Sequence, residues 1–249
     1  KMLRIGDLQQ WTHINFFKVG YSFYEIYTTS QRAFSGMGFP FGADEDAAYI
    51  IAWLELNKLK GVDILRNNIE QIDQQYDGVL NLKEMNKVID FKNKSILMKG
   101  SGLIDFLQSN IYQNNKISIN INNCSNGILF LPLLHKANKN IRYLELIYKD
   151  SNKQANIFKI YDNKIFYNIE ENTINESEVK VTLSNEDLSN TNNTYKEIIN
   201  EKIIQENLSE SLTPNENNWG KISIIANRTF VPESEESRNK GAGGGDAND

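Results

Sequence analysis

Cysteine is almost missing from this chain: Cys124 is the sole one in 249 residues, so no intrachain disulfide can staple the fold. Histidine occurs twice, at His13 and His135, far apart and without a supporting motif. That excludes an HExxH zinc site or a His-rich metal centre, and no metal is expected. No G-x-S-x-G elbow is present to supply the serine of a catalytic triad. Phosphate-binding loops are missing too: there is no P-loop, and no G-x-G-x-x-G follows a strand and opens a helix. Positive charge is not in excess, with 27 Lys and Arg against 32 Asp and Glu, a net charge of -5. Nucleic acid is therefore excluded as the main partner, because gripping phosphates needs concentrated Lys and Arg. No run approaches the ~20 apolar residues that span a bilayer, so no membrane partner is expected. Asp7, Gln9, Gln10, His13 and Lys18 interrupt the apolar residues near the N-terminus before a signal-peptide core forms. A cytoplasmic location is the expectation.

What remains is an ordinary globular composition, 40% hydrophobic and 24% charged, long enough to bury a sizeable core. Asn, Ile and Lys are used heavily, so the N-x-S/T matches at Asn123, Asn175, Asn192, Asn207 and Asn227 carry no weight as glycosylation signals.

Residues 1–20 lack a period and are read as an N-terminal extension; residues 21–249 are read as a single α+β domain. Within it, 21–75 is expected to be helical, 85–185 sheet-rich, and 194–249 helical at the C-terminal end. Ser22 and Glu25 form a capping box ahead of a helix whose apolar positions include Phe23, Ile26, Tyr27 and Phe34, stopped by Gly36 and Gly38. A second helix opens on Asp44, Glu45 and Asp46 and closes with Lys58 and Lys60 in its last turn, before Gly61. A third runs from Asp63 to about Ile72. These are expected to pack as helical hairpins.

The middle changes period. The segments 116–121, 127–134 ("GILFLPLL"), 141–148, 156–162, 164–170 and 178–183 are short, β-branched and aromatic, and are expected as strands of a mainly antiparallel sheet. "YDNK" (161–164) reads as a tight hairpin turn, and 102–111 as an inserted helix. Helices are expected to return at "YKEIINEKIIQENL" (195–208). In the last of them Thr213 would be the N-cap, with Pro214 at the first position and Glu216 closing a box. Trp219, Ile222, Ile225 and Ala226 form its buried stripe.

Candidate chemistry concentrates at the C-terminal stretch. Arg228, Arg238 and Lys240 surround Ser234, Ser237 and the run from Gly241 through Gly243 to Gly245. Consecutive glycines present backbone N–H groups to an anion, and flanking Arg can grip a carboxylate or phosphate. Asp246 and Glu235 are the candidate acid/base groups. Arg32 sits one turn before the Gly-rich "SGMGFPFG" (35–42). Three acidic residues follow that loop, which favours a helix connector with positive φ at Gly over an anion site. Cys124 reads as an incidental loop thiol, and His135 as a structural or solvated histidine after a strand.

Two stretches, "SFYEIYTTSQRAFSGMGFPFGADEDAAYIIAWLELNKLKG" (22–61) and the ending from 228 onward, resemble DUF3726, a bacterial family of unknown function. In 22–61 the resemblance is carried by Ser22, Glu25, Arg32, Gly36, Gly38, Gly42, Glu45, Ala47, Trp53, Leu54 and Gly61. At the other end "RTFVPESEESRNKGAGGGDAND" resembles the family's ending, with Ala247 standing inside the acidic segment. The resemblance supplies no activity and no cofactor. It does imply that the Gly-rich ending is a family feature. Two functions are therefore carried forward: a small metabolic enzyme binding an anionic small molecule near this ending, or a non-catalytic binding or assembly subunit of a larger enzyme complex. A protein partner or homo-oligomer is compatible with either.

Overall fold

The computed structural model describes residues 20–81, 88–149, 155–168, 178–186, 188, 195 and 197–230. The first helix, α1 (Phe23–Gly36), starts as the capping box requires: the Ser22 hydroxyl accepts the Glu25 N–H at 3.2 Å, and the Glu25 carboxylate accepts the Ser22 N–H at 2.7 Å. Helices α2 (Ala43–Leu56) and α3 (Gly61–Ile72) follow. Almost every side chain of α2 from Ala47 to Leu56 is buried, because the helix is sandwiched between α1 and α3 on one side and later helices on the other. It ends at Leu56, so Lys58 and Lys60 lie outside its last turn, both in left-handed conformations.

Strand β1 (Val88–Asp90) and helix α4 (Ile96–Asn114) precede β2 (Lys116–Asn122). The apolar run at 127–134 is not a strand. It forms a 3-10 turn (Gly127–Phe130) and helix α5 (Leu131–Ala137). A continuous apolar run is equally suited to a helix buried all round, and Pro132, unable to serve in a central strand, sits comfortably at a helix start. His135 consequently lies in the last turn of α5, not in a loop after a strand.

Strands β3 (Tyr143–Lys149), β4 (Ala155–Tyr161), β5 (Lys164–Asn168), β6 (Glu178–Ser184) and β7 (Glu197–Ile199) complete one seven-stranded sheet, in the order β1-β2-β6-β3-β4-β5-β7. Only β1 and β2 run parallel; every other pair is antiparallel. Strands β3 to β5 form the expected meander, but β6 inserts between β2 and β3. The "YDNK" turn is a hairpin with Asp162 and Asn163 both at positive φ, the conformation that matches strand twist.

The stretch 195–208 is split. Ile198 and Ile199 alternate exposed and buried in β7 against β5, and Asn200 then caps α6 (Glu201–Ser209) through the Ile203 N–H. In the last helix, α7 (Glu216–Ala226), the cap is Asn215, which accepts the Asn218 N–H at 3.1 Å. Asn caps as well as Thr does, and it leaves Thr213 and Pro214 outside the helix. Trp219, Ile222, Ile225 and Ala226 are buried as expected.

The result is an α+β arrangement. Leu144, Leu146, Phe158, Ile160, Val181 and Leu183 form one fully buried sheet face under α4, α5 and the 3-10 turn. Helix α2 lies over those helices, and α1 and α7 pack side by side beyond it.

Candidate functional site

The last described residues, 227–230, return to the C-terminus of α1. Ile26, Ser30, Ala33 and Phe34 turn one side of α1 inward, which leaves Arg32 exposed. Helix α7 lies along α1, with Tyr21 and Trp219 in ring contact at 5.2 Å at one end. At the other end Gly36 touches the last turn of α7: a Cβ there would stand 2.8 Å from the Ile225 carbonyl oxygen and 3.3 Å from the Arg228 Cβ. The chain leaves α7 through a 3-10 turn (Asn227–Thr229), so Arg228 and Phe230 are carried onto α1. The Phe230 ring lies 5.3 Å from the Arg32 guanidinium. Arg228 turns to Asp73, the C-cap of α3.

The Gly-rich turn between α1 and α2 is closed by its own groups. Gly42 takes φ 87°, and the carboxylate of buried Asp44 accepts the Gly42 N–H at 3.0 Å, the Glu45 N–H at 2.8 Å and the Ser35 hydroxyl at 2.6 Å. An anion at this helix start would have to displace that carboxylate, so the turn is a connector. Gln74 reinforces it, donating to the Gly36 carbonyl at 3.1 Å.

Of the residues singled out from the sequence, Arg32 and Arg228 are thus brought to one place, 155 positions from Asp73 in the case of Arg228. Ser234, Glu235, Ser237, Arg238, Gly241, Gly243 and Asp246 lie outside the described residues. Cys124 lies in the loop after β2 and is buried there, its thiol within 3.7 Å of the Ile121 carbonyl. His135 packs on Trp53 at 5.3 Å, and burial lowers its pKa below the usual 6.5. A carboxyl with a raised pKa does occur: burial pushes Glu55 up, against the opposing bond from the Val62 N–H. It sits eleven residues along α2 from Asp44, about 17 Å at the helical rise, where it ties α2 to α3.

Sequence reasoning passed over a concavity of about 520 Å³ between the α5–β3 turn and the β4–β5 hairpin. Asn138, Lys139, Arg142, Tyr161, Asp162 and Asn163 line it. The hairpin was legible in "YDNK", but nothing in the sequence says that it faces residues 138–142. Among the described residues no cluster of three or more His, Cys, Asp or Glu is placed to hold a metal ion. None of their helices is long and apolar enough to cross a membrane.

Comparison with known proteins adds the fold's relatives. No curated protein matches the chain. Among solved structures, a dehydrogenase from Sinorhizobium meliloti superposes with a TM-score of 0.62 at 7% identity, covering 84% of this chain and 99% of that one. Malate dehydrogenase from Pyrococcus horikoshii OT3 gives 0.61 at 9% identity, with 86% and 96% covered. Sulfolactate dehydrogenase from Methanocaldococcus jannaschii gives 0.59 at 9% identity, with 84% and 97% covered. At such identities the likeness is one of fold. At the level of sequence, residues 21–106, from the start of α1 into α4, match the family described as "Protein of unknown function (DUF3726)".

Proposed function

We propose that this chain is a small metabolic enzyme whose ligand is an anionic small molecule, bound where the 231–249 stretch begins beside α1. The observation that carries the reading is the placement of Phe230 over Arg32. From Phe230 to Ser234 is four residues, at most ~14 Å of chain, a tether short enough for this reading to set Ser234 and Glu235 beside the exposed Arg32 guanidinium. In this reading Arg32 and Arg238 grip the anion, the N–H groups of Gly241 and Gly243 line it, and Glu235 or Asp246 moves the proton. Arg228, already engaged by Asp73, positions the stretch instead of touching the ligand. The ligand class in this reading is taken from the names of two of the fold's relatives: malate and sulfolactate are 2-hydroxy acids bearing a carboxylate.

Thermal unfolding of the full chain with and without L-malate and L-lactate tests this. A ligand at a hundred times its Kd adds about 2.7 kcal/mol of stability, a rise of several degrees. The rise is expected in the parent and lost in Arg32→Ala and Arg238→Ala. No rise with either acid, or an unchanged rise in both variants, would sink the reading.

A second reading has its own support. Phe41, in the α1–α2 turn, is 90% exposed, and Tyr24 and Ile224 are exposed on α1 and α7. Large apolar side chains held in water suit a subunit that docks a partner. Light scattering of the purified chain, alone and mixed with host extract, separates the two: assembly lost in Phe41→Ser supports docking.

A further inference from the structure

We propose that the concavity between the α5–β3 turn and the β4–β5 hairpin is a second binding site, taking the oxyanion of a small acid or of phosphate. It goes beyond the reading above and uses none of the residues placed in that site.

Its volume, about 520 Å³, falls in the range of small-molecule pockets, ~300–1,000 Å³. Its two walls are tied together by one side chain. Asn138 is nearly buried, at 8% exposed. Its amide nitrogen donates to the Ile141 carbonyl at 2.8 Å, which shapes the first wall. Its amide oxygen accepts the Asn163 N–H at 3.1 Å, which fixes the tip of the hairpin that forms the second wall. Tyr161, at the base of the hairpin, is held in a row of stacked rings, 4.5 Å from Phe166 and 6.3 Å from Tyr143. A site fixed in this way loses little freedom when a ligand enters.

The charges in the lining give the ligand its sign. Lys139 and Arg142 enter from the first wall and Asp162 from the second, a balance of two positive against one negative. Among the described residues neither Lys139 nor Arg142 has a carboxylate within ion-pair distance. Two cations three residues apart on one turn, one of them a planar guanidinium, suit the several oxygens of a carboxylate or phosphate. The amide side chains of Asn140 and Asn163 add neutral donors at the same opening.

The test is a titration of the isotope-labelled full chain with inorganic phosphate and, separately, L-malate, followed by amide chemical shifts. Shifts are expected at 138–142 and 161–163 with at least one probe, and which probe produces them identifies the oxyanion. The Lys139→Gln/Arg142→Gln double variant should weaken that binding at least tenfold, and Asp162→Asn should tighten it several-fold. All three side chains project from the surface, so the folded spectrum should survive the changes. Arg32→Ala should leave this site's affinity unchanged. Shifts confined to 28–36 and 226–230 that respond to Arg32→Ala alone would overturn this site while sparing the α1 reading. An absence of shifts with both probes, or affinity indifferent to the double variant and to Asp162→Asn, would overturn it as well.

Discussion

Arg228 closes on Asp73 with a single nitrogen: Nη1 donates to both carboxylate oxygens, at 2.8 and 2.9 Å. The contact joins the turn after α7 to the C-cap of α3, and with the Gly36 contact it makes the chain's exit from α7 a fixed point. Both side chains keep appreciable access to water, 47% and 26%, so screening limits what the pair contributes. A double-mutant cycle of Arg228→Ala and Asp73→Ala, read by urea denaturation, should give a coupling of roughly 0.2–1 kcal/mol that shrinks in 1 M salt. A larger effect of Arg228→Ala on ligand affinity than of Asp73→Ala would show the guanidinium touching the ligand directly.

Gly36 is required by proximity, not by an unusual backbone angle. An added methyl would stand 2.8 Å from the Ile225 carbonyl oxygen, closer than carbon and oxygen tolerate, and backbone must move to relieve it. Gly36→Ala should therefore cost roughly 1–3 kcal/mol in urea denaturation, although alanine is the better helix former. It should also loosen the 227–230 turn, seen as faster amide exchange there. If α1 and α7 can part without cost, the variant will instead be slightly more stable than the parent.

Asp44 differs from an ordinary first-turn acid because it is buried and takes three donors, from Ser35, Gly42 and Glu45. Asp44→Ala strands those donors and should cost roughly 1–3 kcal/mol. Asp44→Asn keeps one acceptor oxygen and should fall between the parent and Asp44→Ala. Ser35→Ala removes only one of the three bonds and should be the mildest of the series, about 1 kcal/mol or less.

These three sites also show how much the sequence disclosed. The capping box at Ser22 and Glu25 was legible because every group in it lies within four residues. Strands β2 to β6 were legible as short β-branched and aromatic runs, and the "YDNK" turn from its residue types. The run at 127–134 misled because burial on all sides erases the period that separates strand from helix. The split at Asn200 misled because three residues of edge strand and the first turn of α6 present the same isoleucine-rich text. Thr213 and Asn215 are both of types that cap helices, and Asn215 is the one whose side chain accepts an N–H of the first turn. The candidate site was half legible. Arg32 and Arg228 could be named from the sequence, but Asp73, which engages Arg228, is a partner across 155 positions that no local pattern reveals. The Asn138–Asn163 bond is hidden for the same reason, being set by the sheet's strand order.

His135 provides a pH test. Its ring packs on Trp53, and burial lowers its pKa below 6.5; Glu201 opposes that shift and Lys139 adds to it. The fold thus prefers the neutral imidazole. Between the lowered folded value and 6.5 the unfolded chain binds more protons, so stability is fully present above pH 6.5 and declines as pH falls through that interval. His135→Gln, which keeps a polar side chain but cannot titrate, should flatten the decline when urea denaturation is compared between about pH 7.5 and about pH 5. Glu201→Gln removes the opposing charge, so the imidazole pKa followed by proton NMR should drop further and the decline should steepen. Parallel pH profiles for parent and His135→Gln would mean that other groups, carboxylates above all, set the acid stability and that the Trp53 contact leaves the imidazole free to charge.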